Sequence, residues 1–127
     1  MTNLNNFGIV TGRLAADPVK FQNSDGSTKV KMTVIAKDAF RRADGSESSQ
    51  RLPLEAFISK DAKSAGVYDL MHKGDLIEVQ YSVRNNDYTD KAGEQHYDVV
   101  LFAEAVELRE PKTVTDARLA SRQTAQA

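Results

Sequence analysis

Apolar and polar residues alternate with a period of two along three separate stretches of this chain. In the first, Val30, Met32, Val34 and Ala36 alternate with Lys29, Lys31, Thr33, Ile35 and Lys37. In the second, Leu52, Leu54, Ala56 and Ile58 alternate with Arg51, Pro53, Glu55 and Phe57. In the third, Ile77, Val79, Tyr81 and Val83 alternate with Glu78, Gln80, Ser82 and Arg84. Side chains of a strand point to opposite faces in turn, so each stretch predicts a strand with one face in a core and one in solvent. An apolar run from Phe7 to Leu14 predicts an earlier strand, ended at Asp17-Pro18, where proline removes a donor and biases the preceding residue away from helix. A fifth strand is expected from about His96 to Leu108.

Turn chemistry separates these runs. Ser24-Asp25-Gly26-Ser27 reads as a turn, Ala43 to Ser48 as a polar loop, and Asp90-Lys91-Ala92-Gly93 as a hairpin turn with glycine left-handed. From Asp61 to His72, Val67, Leu70 and Met71 have helical spacing, with Ser59 or Asp61 as N-cap and Gly74 at the stop, although Gly66 weakens the pattern. The order β-β-β-α-β-β predicts a mostly-β domain over residues 1–111, a small barrel with one short helix. Pro111 closes it. Residues 112–127 lack aromatics and read as a tail, with a helical pattern near Thr115 to Gln123.

A chain of 127 residues fits one domain and can bury a core without staples. It has no cysteine, which excludes disulfides, thiol nucleophiles and thiolate zinc sites. Met1-Thr2-Asn3-Leu4-Asn5 shows no basic n-region before an apolar run. No stretch approaches the roughly 20 apolar residues of a membrane span. A soluble, cytoplasmic protein is expected.

Seventeen Lys and Arg against eighteen Asp and Glu give a net charge of −1, and its distribution is uneven. Lys29, Lys31, Lys37, Arg41 and Arg42 face only Asp38 within residues 29–42, a local +4, whereas residues 75–110 carry a local −6. One strand therefore offers phosphates a positive strip. Catalysis finds little material. His72 and His96 are the two histidines, and neither sits at metal-ligand spacing with carboxylates. His72 reads as a helix-end residue and His96 as an exposed strand residue. Gly8 and Gly12 lie in a strand pattern, not a phosphate loop, and Asp87 and Asp90 suit the local hydrogen bonding of a hairpin better than a metal pair. No catalytic residue, metal or cofactor is assigned.

Four segments in order resemble the bacterial single-stranded DNA-binding proteins. NFGIVTGRLAADP, from Asn6 to Pro18, resembles their opening strand and loop, and KMTVIA their second strand. LMHKGDLIEVQYSV resembles the entry to their fourth strand, and RNNDYTDKAGEQHYDVVLFAEAVELRE, with Arg84, Tyr88-Thr89-Asp90, Gly93 and Tyr97, their long last hairpin. The resemblance covers about residues 5–111 and implies a five-stranded OB-fold β-barrel that wraps single strands along its second and third strands. In that family aromatic side chains on this surface stack on bases, and Phe40 and Tyr88 fall at two such positions. On the third strand Phe57 is preferred, because the opposite register would bury Glu55.

Binding without sequence readout needs cations for phosphates and flat rings for bases. Stacking is assigned to Phe40, Phe57 and Tyr88, and phosphate contact to Lys31, Lys37, Arg41, Arg42, Arg51 and Arg84. Blander roles compete: Phe57 as a core or interface residue, Tyr88 as cover for its neighbouring strand, Arg41-Arg42 as a solvated pair. Arg13 fits a phosphate contact or a subunit interface equally. Glu55 and Asp87, beside the proposed groove, should repel phosphates, and tryptophan is absent. The family commonly ends in an acidic, phenylalanine-terminated tip that recruits repair and replication enzymes; Thr124-Ala125-Gln126-Ala127 lacks it, so that recruitment is not carried over. The expected protein is a non-enzymatic binder of single-stranded DNA in replication, recombination or repair, homo-oligomeric, and tetrameric as is usual in the family. The alternative is an OB-fold protein-interaction module that has largely lost nucleic-acid binding.

Overall fold

The computed structural model describes residues 4–126; the readings that fall on residues 1–3 and 127 lie outside it. In chain order the elements are β1 Gly8–Leu14, β2 Val19–Gln22, β3 Thr28–Arg41, β4 Glu47–Ile58, a 3₁₀ turn Gly66–Asp69, β5 Leu76–Thr89, β6 Gln95–Leu108 and α1 Lys112–Gln126. Five of these strands close on themselves in the order β1-β5-β6-β4-β3, with β3 returning to β1 where Arg13 faces Ile35 and Leu14 faces Val34. All neighbours are antiparallel except β4 and β6, which run parallel at Leu54 and Leu101. This is the closed five-stranded barrel expected of an OB-fold. The additional strand that the sequence did not announce is β2, a four-residue strip on the outer edge of β3.

The alternations become the two sides of the barrel wall. Val30, Met32 and Val34 of β3, Leu54 and Ala56 of β4, and Ile77 and Val79 of β5 all face inward and are buried. Removing each such large side chain from water contributes roughly 1.5–3 kcal/mol. Glycine is required where β1 crosses β3: a Cβ on Gly12 would lie 2.2 Å from the Ile35 carbonyl oxygen. The inward row of β5 ends at Tyr81. Val83, expected to continue it, is exposed, because the ladder to β6 shifts register between Gln80 and Tyr81 and Ser82 is the buried residue beyond the shift. From there β5 and β6 project as a hairpin whose residues 84–89 are all exposed. Asn6 pins the base of this hairpin, donating to the Val83 carbonyl at 2.8 Å and accepting from its N–H at 2.9 Å.

The helix expected between the third and fourth core strands is only the 3₁₀ turn Gly66–Asp69. Gly66 has φ +60°, which breaks a right-handed helix at its start. Of the apolar residues that suggested a helix, Met71 is buried and Val67 packs with Tyr68 against the same core, whereas Leu70 is 54% exposed. The α-helix proper is α1, over residues read as a tail. Arg118 holds it to the barrel, reaching Asp75 at 2.9 Å and Glu110 at 2.7 and 2.9 Å, and Arg122 reaches Asp17 at 3.0 and 3.1 Å. Among the described residues no helix is long and apolar enough to cross a membrane.

Candidate nucleic-acid interface

The outer faces of β3 and β4 form the floor of an open groove of about 720 Å³. Ala16 and Asp17 from the β1–β2 connection, with Val19 of β2, form one wall, and Asn86, Asp98 and Val100 from the projecting hairpin form the other. Cross-strand partners share a face, so the floor can be read from the register. Phe57 lies beside Lys29, Glu55 beside Lys31, Pro53 beside Thr33 and Arg51 beside Ile35. The hairpin face that looks onto the groove carries the pairs Arg84–Val100, Asn86–Asp98 and Tyr88–His96. Asp87 pairs with Tyr97 on the opposite face, so the acid beside the groove is Asp98, in place of the expected Asp87.

Several charges in the groove cancel locally. Glu55 is 3.4 Å from Lys29, and Asp17 is bound by Arg122. That guanidinium, with the Lys73 N–H, holds the Asp17 carboxyl below its usual range. Among the described residues Lys31 and Arg51 make no ion pair and line the groove. The other cations assigned from sequence are differently placed. Lys37 and Arg41 share Glu47 at 3.7 and 2.9 Å, out along the β3–β4 hairpin, and Arg42 sits in its turn. Arg84 is 3.2 Å from Glu104 and stacks over the Phe102 ring at 4.0 Å. Hydrogen bonds from Ser82 and Arg84 keep Glu104 ionised below the usual carboxylate range.

The three assigned rings stand outside the core: Phe40 is 63% exposed, Phe57 55% and Tyr88 44%. The register shift between Lys37 and Arg41 leaves Phe40 without a cross-strand partner, so strand alternation does not dictate its direction. Tyr88 stacks on His96, with centroids 4.8 Å apart and planes 13° from parallel. His96, expected to be exposed, is instead half-buried between that ring and Asp90, whose Oδ2 is 2.7 Å from Nε2. Asp90 Oδ1 accepts the Ala92 and Glu94 N–H groups across the turn. His96 first, then the Glu94 amide, lower the Asp90 pKa. His72, expected at a helix end, lies after the 3₁₀ turn, and its N–H donates to buried Asp75.

Sequence reasoning assigned no binding role to three exposed rings, Phe7, Phe21 and Tyr97. Tyr97, 76% exposed, lies on the hairpin face opposite Asn86 and Asp98. Phe21, 48% exposed, lies on β2 with the Lys31 ammonium 5.7 Å from its ring centre. The signal for β2 was an alternation over only four residues, Val19 to Gln22. Spacing also concealed a group of possible metal ligands: the turn brings Asp90, Glu94 and His96 within 4.8 Å of one another, a carboxylate–imidazole set of the kind transition-metal ions accept. The turn's own hydrogen bonds already account for the position of Asp90.

The single-strand binding protein family matches residues 5–109 of this sequence. Single-stranded DNA-binding protein 1 of Xylella fastidiosa (strain 9a5c) is 24% identical over 108 residues, covering 85% of this chain and 79% of the relative. Single-stranded DNA-binding protein 1 of Staphylococcus aureus (strain MSSA476) is 26% identical over 108 residues, covering 85% and 67%. A single-stranded DNA-binding protein of Bacteroides thetaiotaomicron is 22% identical over 105 residues, covering 82% and 65%.

Proposed function

This chain belongs to the single-strand binding protein family, and from that premise we propose that it holds single-stranded DNA along the outer face of β3 and β4, largely without reading sequence. The observation that carries the reading is the groove itself: Lys31 and Arg51, free of ion pairs among the described residues, line it, and exposed Phe57 stands next along the same face of β4, beside Lys29. Phosphates would meet the two cations, and bases would stack on Phe57, Tyr88 and Phe40. An unpaired strand exposes the flat faces of its bases, whereas a duplex buries them, so the rings select single strands. The chemistry is binding without bond-making, and it protects unpaired DNA during replication, recombination or repair in the cytoplasm.

A homo-oligomer, tetrameric as the family resemblance implies, belongs to the same proposal. β1 pairs with β3 at Arg13 and Leu14, so its edge from Gly8 to Thr11 is open to antiparallel pairing with another copy, beside exposed Phe7 and Ile9. The competing reading, a protein-interaction barrel, draws support from the acids that occupy Lys37, Arg41 and Arg84. Titration with oligo-dT, followed by tyrosine emission at low salt, separates the two. Binding predicts quenching that a duplex of equal length does not produce; no quenching and no mobility shift would leave the interaction module as the reading.

A further inference from the structure

Four residues make up β2, all exposed, and none of them belongs to the core. Two are apolar, Val19 and Phe21. The strip is nonetheless held firmly. It pairs with β3 along its whole length, Lys20 is bound by Asp69 of the 3₁₀ turn, and Asn23 closes the following turn through its backbone and side-chain bonds to Ser27. The Phe21 ring is 48% exposed on this edge strand, so half of its apolar surface stays in water and gains nothing from folding.

The register shows what the ring faces. Phe21 is the partner of Lys29 across β2–β3, and Lys29 is the partner of Phe57 across β3–β4. Partners share a face, so the outer surface carries a row of ring, ammonium and ring. Adjacent strands lie about 4.8 Å apart, which sets the two ring-bearing strands roughly 9–10 Å apart with a cation between them. Lys31, one step along the same face, holds its ammonium over the Phe21 ring at 5.7 Å. Lys29 is shared with Glu55 at 3.4 Å and is still half-exposed, so it remains accessible to a phosphate.

We propose that Phe21 and Phe57 form a two-ring platform for bases of one single strand, with Lys29 and Lys31 contacting the phosphate backbone between them. The proposal rests on the single-strand binding reading above and deepens it. It extends the path of the strand off the closed barrel and onto β2. The strand then crosses β4, β3 and β2 in turn, at right angles to them, and does not follow the groove alone.

The test is oligo-dT affinity for the parent, Phe21→Leu, Phe21→Tyr and Phe57→Ala, with thermal melting and light-scattering mass on each. Leu keeps apolar bulk and loses the flat ring; Tyr keeps the ring. Loss of a base stack is expected to weaken Phe21→Leu by about 5–150-fold, at unchanged melting temperature and mass, with Phe21→Tyr close to the parent. Phe21→Leu binding as tightly as the parent while Phe57→Ala weakens would overturn the platform and leave the groove reading standing. A fall in mass with unaltered affinity would make Phe21 a contact between copies, and would overturn it too. Failure of the parent itself to bind oligo-dT would remove both readings together.

Discussion

Tyr88 and His96 lie face to face across the β5–β6 hairpin, their rings 4.8 Å apart and nearly parallel. The stack fixes a side chain that would otherwise rotate freely at the end of a long projection. It also commits one face of the tyrosine, so the proposed base stack would use the other face. His96 is in turn held by Asp90, and Asp90 by the backbone of the turn. Ring, imidazole, carboxylate and turn make one connected unit.

Tyr88→Ala is therefore expected to weaken oligo-dT binding by about 1–3 kcal/mol, the usual worth of one base stack, and Phe40→Ala by a similar amount. His96→Ala leaves the tyrosine in place and removes its support, so its cost should be smaller, about 0.5–1.5 kcal/mol. Titration of the three variants checks the order. A loss for His96→Ala larger than for Tyr88→Ala would assign the contact to the imidazole.

Cations that look alike in sequence should behave differently. Arg51 lines the groove without an ion pair among the described residues, whereas Arg84 is tied to Glu104 and the Phe102 ring. Removing a cation that touches a phosphate reduces the slope of log affinity against log salt by about 1. Arg51→Ala should reduce it by about that amount and Arg84→Ala by much less. Equal reductions would mean that bound DNA displaces Glu104 from Arg84.

The seam between α1 and the barrel governs acid stability. Arg118 and the Leu76 N–H hold the Glu110 carboxyl down to about 2, from an ordinary 4.5. A depressed folded pKa gives stability that is full above the ordinary value and is lost as pH falls from about 4.5 toward 2. Glu110→Gln should flatten the melting temperature across that window and lower it at neutral pH. Arg118→Ala leaves Asp75 buried without its cation and should cost about 3 kcal/mol. Thermal melts against pH measure both.

The barrel was legible because burial enforces the alternation. Leu54 and Ala56 had to face inward if Glu55 was to stay out, and Phe57 followed. The 3₁₀ turn reads as a helix in the sequence because Val67, Leu70 and Met71 keep helical spacing, while Gly66 adopts a conformation that spacing does not reveal. β2 escapes a sequence reading because the alternation of a four-residue edge strand with no buried residue is too short to stand out. The same reason hides Phe21. Which cations stay free was also beyond the sequence: Lys29 meets Glu55, and Arg84 meets Glu104, only through strand register and hairpin pairing. The Tyr88–His96 stack spans eight positions and arises from the hairpin register alone.

The location of the bound strand is tested most directly by ultraviolet crosslinking to oligo-dT followed by peptide mapping. Crosslinks are predicted at Phe57 and Tyr88, with Phe40 from the β3–β4 hairpin. Crosslinks confined to Tyr97 on the opposite hairpin face, or to α1, with Phe57 and Tyr88 unmodified, would contradict a strand held on the outer face of β3 and β4.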